Sequence, residues 1–60
     1  MNKTLLRIAL KYIEKGYSMD DLTWGDDLYG SSEETKELCK DYYEDIQAQG
    51  TNWAYLRLEE

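Results

Sequence analysis

The chain has 60 residues, one cysteine, no histidine and a formal net charge of −6. A chain of this length buries only about 60% of the surface that its unfolded form exposes, so we expect one domain without a deep substrate cleft. The lack of histidine and of a second thiol excludes zinc fingers, catalytic zinc sites and Ser-His or Cys-His nucleophile pairs. We therefore expect a protein that is not an enzyme and holds no cofactor or metal.

The single Cys39 cannot form an internal disulfide, which favours a reducing compartment. The apolar stretch near the N-terminus is interrupted by Arg7 and Lys11, and no cleavage site of small residues follows it, so we expect no signal peptide. The stretch is also shorter than the roughly 18 residues of a membrane span. The sequence predicts a cytoplasmic protein without membrane contact, in the host cytoplasm if a phage encodes it.

A helix over about residues 3–15 is the first predicted element. At 100° per residue its apolar side chains fill one broad face, and its basic side chains recur at every fourth position on the other. Gly16 suits the left-handed position that ends a helix, and Tyr17 provides the hydrophobic contact expected just beyond it. The apolar face comprises Leu5, Leu6, Ile8, Ala9, Leu10, Tyr12 and Ile13, and the basic side chains are Lys3, Arg7, Lys11 and Lys15.

A short second helix is predicted near residues 18–24, ending at Gly25. Ser18 is a suitable N-cap with Asp21 at the position of a capping-box acid, and Tyr17 and Leu22 have the spacing of a hydrophobic staple. The acids of this segment therefore have a structural reason to be present, because they lie near the positive end of a helix dipole.

The double aspartates Asp20-Asp21 and Asp26-Asp27 do not form an EF-hand loop. No register places glycine at the sixth position with acids at both earlier ligand positions. Residues 26–30 are instead predicted to form a connection, in which Leu28 and Tyr29 turn back toward the core and the acids face solvent.

A long helix over about residues 32–49 is predicted to begin with a capping box from Ser31 to Glu34 and to end at Gly50. Cys39 lies on its packed stripe, so we expect a small buried hydrophobic side chain rather than a reactive thiol. The whole stripe comprises Thr35, Leu38, Cys39, Tyr42 and Ile46.

The sequence of the tail, residues 51–60, is compatible with two conformations. A helix would scatter its apolar side chains around the circumference, whereas a strand would place Trp53, Tyr55 and Arg57 opposite Ala54, Leu56 and Leu58. We expect an extended segment, with a final helix of two turns as the alternative. The predicted fold class is mainly α: a small single domain over residues 1–60 with two principal helices, a short helix between them and this tail.

Charge is unevenly placed along the chain. Residues 1–16 carry four basic and one acidic side chain, a balance of +3, and residues 17–60 carry three basic and twelve acidic side chains, a balance of −9. Such a balance argues against direct nucleic-acid binding, which needs several cations over one footprint. The basic face of the first helix is expected to be a solvated surface.

The acids of the long helix fall within an arc of only about 120° at 100° per residue. They present one carboxylate per roughly 3 Å at about 1.5 Å rise per residue, close to the about 3.4 Å between phosphates of one DNA strand. The alternative is a soluble surface in which Lys36 and Lys40 pair with neighbouring acids. We call these six side chains the acidic face: Glu33, Glu34, Glu37, Asp41, Glu44 and Asp45.

The chain has six tyrosines and two tryptophans but no phenylalanine. Tyrosine and tryptophan carry a polar group and are enriched at protein interfaces. The periodic positions of Tyr12, Tyr17 and Tyr42 predict core residues. The other aromatic side chains are predicted exposed anchors: Trp24, Tyr29, Tyr43, Trp53 and Tyr55.

These features predict an inhibitor that occupies a basic nucleic-acid-binding surface of another protein. In size and acidity, though in no aligned motif, the chain resembles the small inhibitors that phages and mobile elements use against host nucleases, restriction enzymes, CRISPR effectors or DNA repair enzymes. The predicted contacts are the acidic face with Asp26 and Asp27, and the anchors Trp24, Tyr29, Trp53 and Tyr55.

Two further functions stay open. One is a helical regulatory module that docks through apolar surface or forms a homodimer through the tail WAYLRL. The other is a metal-binding regulator built on the double aspartates, which would show a calcium-dependent shift in melting temperature.

Overall fold

The computed structural model describes residues 1–18, 27–28 and 30–60. It contains three helices, α1 (Lys3–Glu14), α2 (Glu33–Gln49) and α3 (Thr51–Glu59), and no strand in the described ranges. The predicted mainly α fold is confirmed. The short helix predicted near residues 18–24 falls almost wholly outside the described residues. None of the helices described is both long and apolar enough to cross a membrane.

Helix α1 forms as its sequence pattern predicts. The side chain of Asn2 caps the first turn by accepting a hydrogen bond from the backbone N–H of Leu5 at 3.2 Å. All seven predicted apolar side chains are buried or packed against the core, whereas all four basic side chains are exposed. The amphipathic pattern thus determines which side of α1 faces the interior.

The end of α1 is a Schellman turn centred on Gly16. Gly16 has a φ of 78°, and its N–H donates to the carbonyl of Ile13 while the N–H of Tyr17 donates to that of Tyr12. These two bonds satisfy carbonyl groups that the helix leaves without partners. The Tyr17 ring lies 5.7 Å from that of Tyr12 but is 47% exposed, so its predicted place in the core is wrong. Tyr17 packs on the surface of the helix end instead.

Helix α2 begins one residue later than the predicted capping box. Ser32, not Ser31, is the N-cap: its Oγ accepts from the N–H of Thr35 at 3.2 Å and lies 3.0 Å from the Thr35 hydroxyl. The N–H of Ser31 is engaged elsewhere, since it donates to the carbonyl of Leu28 in the preceding turn. The Ser31–Glu34 capping box is therefore wrong, and Glu34 remains an exposed acid of the first turn.

The packed side of α2 is rotated slightly from the predicted stripe. Cys39, Tyr42 and Ile46 are buried as expected, but Leu38 is exposed and Thr35 only half-buried. Tyr43, predicted to be an exposed anchor, is buried. A buried tyrosine needs a partner for its hydroxyl, and the Tyr43 hydroxyl donates to the carbonyl of Tyr17 at the end of α1.

The tail is a helix, so the expected extended segment is wrong and the helical alternative is correct. Gly50 separates α2 from α3 with φ 95° and ψ 160°, and α3 folds back onto the core. Ala54 is fully buried, and Trp53 and Leu58 pack partly buried beside it. Packing of one side against the core therefore stabilises α3, although the spacing of apolar residues in the tail does not predict a helix.

One hydrophobic core joins the three helices and the turn before α2. Leu28 is buried there, as predicted for the connection. Cys39 is also fully buried, and its thiol donates to the carbonyl of Leu5 at 3.6 Å. Burial raises the pKa of the Cys39 thiol to about 11. The predicted role of Cys39 as a small buried side chain is confirmed.

Candidate protein-binding surface

All six residues of the acidic face are exposed. At 100° per residue they lie on the side of α2 opposite the buried Cys39, Tyr42 and Ile46. The packing of α1 and α3 against the other side therefore directs these carboxylates outward. The structure brings together the six residues that the sequence predicted as one surface.

Most carboxylates of the acidic face have no ion-pairing partner within the described ranges. Glu33 is the exception, since its carboxylate lies 3.6 Å from the ammonium of Lys36. The exposed Lys40 makes no ion pair with a described residue. The alternative explanation of the acidic face is that its acids pair with Lys36 and Lys40. Among the described residues this pairing accounts for one of the six carboxylates.

Asp27 has a different environment from the acidic face. Its carboxylate accepts a hydrogen bond from the Tyr12 hydroxyl at 2.8 Å and forms an ion pair with Lys11 at 3.0 Å. Its side chain is only 26% exposed, so the prediction that this acid simply faces solvent is incomplete. The hydrogen bond from Tyr12, and then that from Lys11, hold the pKa of Asp27 below its ordinary value of 3.8. Asp27 thus links the turn before α2 to α1 through a hydrogen bond and an ion pair.

Replacing Asp27 with asparagine is expected to lower the free energy of unfolding by about 1 kcal/mol at neutral pH. Because the pKa of Asp27 is depressed in the folded state, its stabilisation is fully present above the pKa of the unfolded chain. The stabilisation is lost as pH falls through the lower folded value. Urea unfolding of the wild type and Asp27→Asn at pH 7 and at successively lower pH should show the difference shrinking.

The control for Asp27→Asn is Asp41→Asn, which removes an exposed carboxylate with no partner among the described residues. This variant should remain within about 0.5 kcal/mol of the wild type at pH 7. Equal stability of the wild type and Asp27→Asn at pH 7 would show that the contact with Tyr12 and Lys11 does not stabilise the fold.

The predicted aromatic anchors do not form one cluster in the described ranges. Tyr55 is 45% exposed, and its hydroxyl donates to the Glu14 carboxylate at 2.7 Å, which raises the pKa of Tyr55. Trp53 is half-buried against the core. Three predicted contact residues, Trp24, Asp26 and Tyr29, lie outside the described residues.

Leu56 is an exposed apolar side chain that the predicted contact set omitted. It is 61% exposed on α3, on a different side from the buried Ala54. The sequence contained a signal for the exposure of Leu56. Apolar residues occur all around the tail, and a short helix that packs on one side must leave some of them in solvent.

The described residues contain no cluster of three or more metal-ligating side chains. Of the two double aspartates, only Asp27 is described, and its carboxylate is engaged by Lys11 and Tyr12. A cation site on the double aspartates remains a prediction for a calcium titration.

Comparison of the chain with protein-family models, with curated proteins and with solved structures gave no match.

Proposed function

We propose that this chain is a non-enzymatic inhibitor that uses its acidic face to cover a basic nucleic-acid-binding surface of another protein. The observation that carries the proposal is the exposure of all six carboxylates on one outer side of α2. Their spacing along the helix, one per roughly 3 Å, is close to that of phosphates along a DNA strand. A surface that binds a phosphate backbone would meet a similar series of negative charges.

The energetics of α2 support a partner of opposite charge. Each pair of like charges four residues apart on a helix lowers the stability of the helix by about 0.2–0.5 kcal/mol. Glu33, Glu37, Asp41 and Asp45 follow one another at this spacing, and only Glu33 has an ion-pairing partner among the described residues. Lysine and arginine side chains on a target would relieve this repulsion and steer association over long range.

The target class follows from the chemistry that the acidic face would imitate. Suitable targets are enzymes that hold nucleic acid on a basic surface, such as nucleases, restriction enzymes, CRISPR effectors and DNA repair enzymes. A phage or mobile element is the proposed source of such an inhibitor. The support for this source is the net charge of −6.

The first test is capture of partners from a bacterial lysate with the intact chain as bait. Bound proteins are eluted with rising salt and identified by mass spectrometry. The proposal expects a nucleic-acid-binding protein that is released at high salt, because screening shortens the reach of charges from about 10 Å at 0.1 M to about 3 Å at 1 M. Partners that resist salt and bind no nucleic acid would contradict it.

Neutralising two acids of the acidic face should weaken binding to the captured partner. Glu37→Gln with Glu44→Gln is expected to raise the Kd about tenfold, which corresponds to 1.4 kcal/mol. The control, Glu59→Gln with Glu60→Gln, makes the same chemical change and the same charge change at the C-terminal end of α3, where it also removes the ion pair between Glu60 and Arg57. Titration by isothermal calorimetry measures both. Equal losses in the two variants would show that net charge, not the acidic face, determines binding.

A second function is favoured by one observation, the exposure of Leu56 and Tyr55 on α3. In this case the chain docks through apolar surface, and the acids only keep it soluble. Removing the tail would not test this, because α3 contributes the buried Ala54 to the core. Leu56→Ser is the better variant: it should abolish docking through α3 and leave binding through the acidic face unchanged.

A further inference from the structure

The basic side chains of α1 and of its C-cap residue form a row that matches the acidic face in length and pitch. Lys3, Arg7, Lys11 and Lys15 recur at every fourth position and span about 18 Å at 1.5 Å rise per residue. In α2, the acids Glu33, Glu37, Asp41 and Asp45 recur at the same interval over the same length. We call these two sets the basic row and the acidic row. They have equal numbers of charges and opposite sign.

Much of the basic row makes no ion pair with the residues that the structure describes. Lys11 pairs with Asp27. Lys3, Arg7 and Lys15 are exposed and make no ion pair with any residue in the described ranges. Glu14 lies in the same arc of α1 and contributes one negative charge there, and its carboxylate accepts a hydrogen bond from Tyr55. Three cations of the row are therefore exposed and make no ion pair among the described residues, as a contact with an anionic surface requires.

One copy cannot pair its own two rows. Helices α1 and α2 pack through the sides opposite the rows, where Leu6 and Ala9 of α1 and Cys39 and Ile46 of α2 are buried. The rows therefore lie on the outer sides of the helix pair. A contact between a basic row and an acidic row therefore needs a second molecule.

We propose that the basic row of one copy binds the acidic row of a second copy. Rows of residues four apart lie side by side when two helices cross at about −50°, the commonest packing angle in globular proteins. Such a crossing brings the middle positions of one row near the middle positions of the other, and the flexible side chains at the ends extend the contact. Each copy uses one row for each neighbour. The contact is therefore head to tail, and it produces chains or larger rings rather than a closed dimer.

The net charge of −6 does not prevent this contact at moderate salt. The screening length is about 10 Å at 0.1 M, whereas the molecule measures 28 × 22 × 16 Å. Charges on the far side of each copy are therefore largely screened, while facing rows act over a shorter distance. Because this contact and the proposed target use the same acidic face, self-association and target binding exclude each other.

Analytical ultracentrifugation of the full chain tests the inference without any target, so its outcome is separate from that of the proposed function. At about 1 mM chain, a concentration that detects weak association, and 0.1 M salt, the weight-average mass should rise at least twofold above that of one chain. It should return to the mass of one chain at 1 M salt. A wild-type chain that stays single at 0.1 M salt overturns the inference.

Two complementary variants identify the surfaces involved. The basic-row variant carries Lys3→Gln, Arg7→Gln and Lys15→Gln, and the acidic-row variant carries Glu37→Gln, Asp41→Asn and Asp45→Asn. Each alone should remain a single chain. An equal mixture should form one-to-one complexes and nothing larger, because each variant retains one intact row. Glu59→Gln with Glu60→Gln, the control at the C-terminal end of α3, should associate like the wild type.

The mixture experiment distinguishes pairing of the two rows from an effect of net charge on association. The acidic-row variant has a smaller net charge, so association governed by overall repulsion would increase in it. Its association on its own, or failure of the two variants to pair, overturns the inference. Circular dichroism checks that each variant retains its helices. If a triple variant unfolds, Arg7→Gln and Asp41→Asn replace the triple sets, and each should reduce self-association at least twofold.

Discussion

Leu6→Ala is expected to lower the free energy of unfolding by about 3 kcal/mol, within the range found for buried leucines. Leu6 is completely buried, at 0% exposure, and is among the largest fully buried side chains of the described core. Truncation removes apolar contacts and leaves a cavity that the neighbouring helices cannot fully close. A 60-residue domain has only about 3–9 kcal/mol of total stability, so the variant should be close to unfolding at 25 °C.

Urea unfolding followed by circular dichroism measures this loss. The matched control is Leu56→Ala, the same substitution at a side chain that is 61% exposed. The control should change stability by no more than about 0.5 kcal/mol. Similar losses at the two positions would contradict the assignment of Leu6 to the core and of Leu56 to the surface.

Gly50→Ala should have the second-largest effect on stability, a loss of about 1–3 kcal/mol. Gly50 has φ 95° and ψ 160°, a backbone conformation that is essentially restricted to glycine. A Cβ at this position would meet no atom within 4 Å. The loss therefore comes from the backbone of the residue itself, which has to turn α3 back onto the core.

Asparagine substitutions distinguish Gly50 from Gly16, which also has a positive φ. Gly16 ends α1 in a Schellman turn, where asparagine is a natural alternative to glycine. Gly16→Asn should therefore cost less than about 1 kcal/mol, whereas Gly50→Asn should be about as costly as Gly50→Ala. Thermal or urea unfolding of the three variants provides the comparison, and equal costs for the two asparagine variants would contradict it.

Helix α1 could be predicted from the sequence because local and global signals agree. Its apolar side chains have a helical period, and Gly16 is followed by Tyr17 in the pattern of a Schellman turn. The acidic face could be predicted for a similar reason. Once residues 33–49 are helical, the period alone places its carboxylates on one side, and the packed stripe places that side in solvent.

The tail could not be predicted because its own pattern is ambiguous. The apolar side chains around Trp53, Ala54 and Leu56 suit neither a clear amphipathic helix nor a strand with a partner. The tail is helical because Ala54, Trp53 and Leu58 pack in or against the core. Such tertiary packing depends on residues of α1 and α2 that are distant in the chain.

The positions of Tyr43 and Asp27 depend on hydrogen bonds between distant parts of the chain. The Tyr43 hydroxyl donates to the carbonyl of Tyr17, and Asp27 binds Lys11 and Tyr12. Neither contact follows from the spacing of residues within one element. The shift of the N-cap from Ser31 to Ser32 has a local cause, since two adjacent serines offer two capping positions and the N–H of Ser31 is used in the turn.

Competition for a captured partner tests most directly whether the acidic face occupies a nucleic-acid site. Labelled duplex DNA is bound to the partner at about 0.1 M salt, where charges act over about 10 Å, and the chain is titrated in. We predict complete release of the DNA, with Glu37→Gln and Glu44→Gln together requiring about tenfold more chain. A stable complex that holds the partner, the DNA and the chain at once would contradict the proposed function.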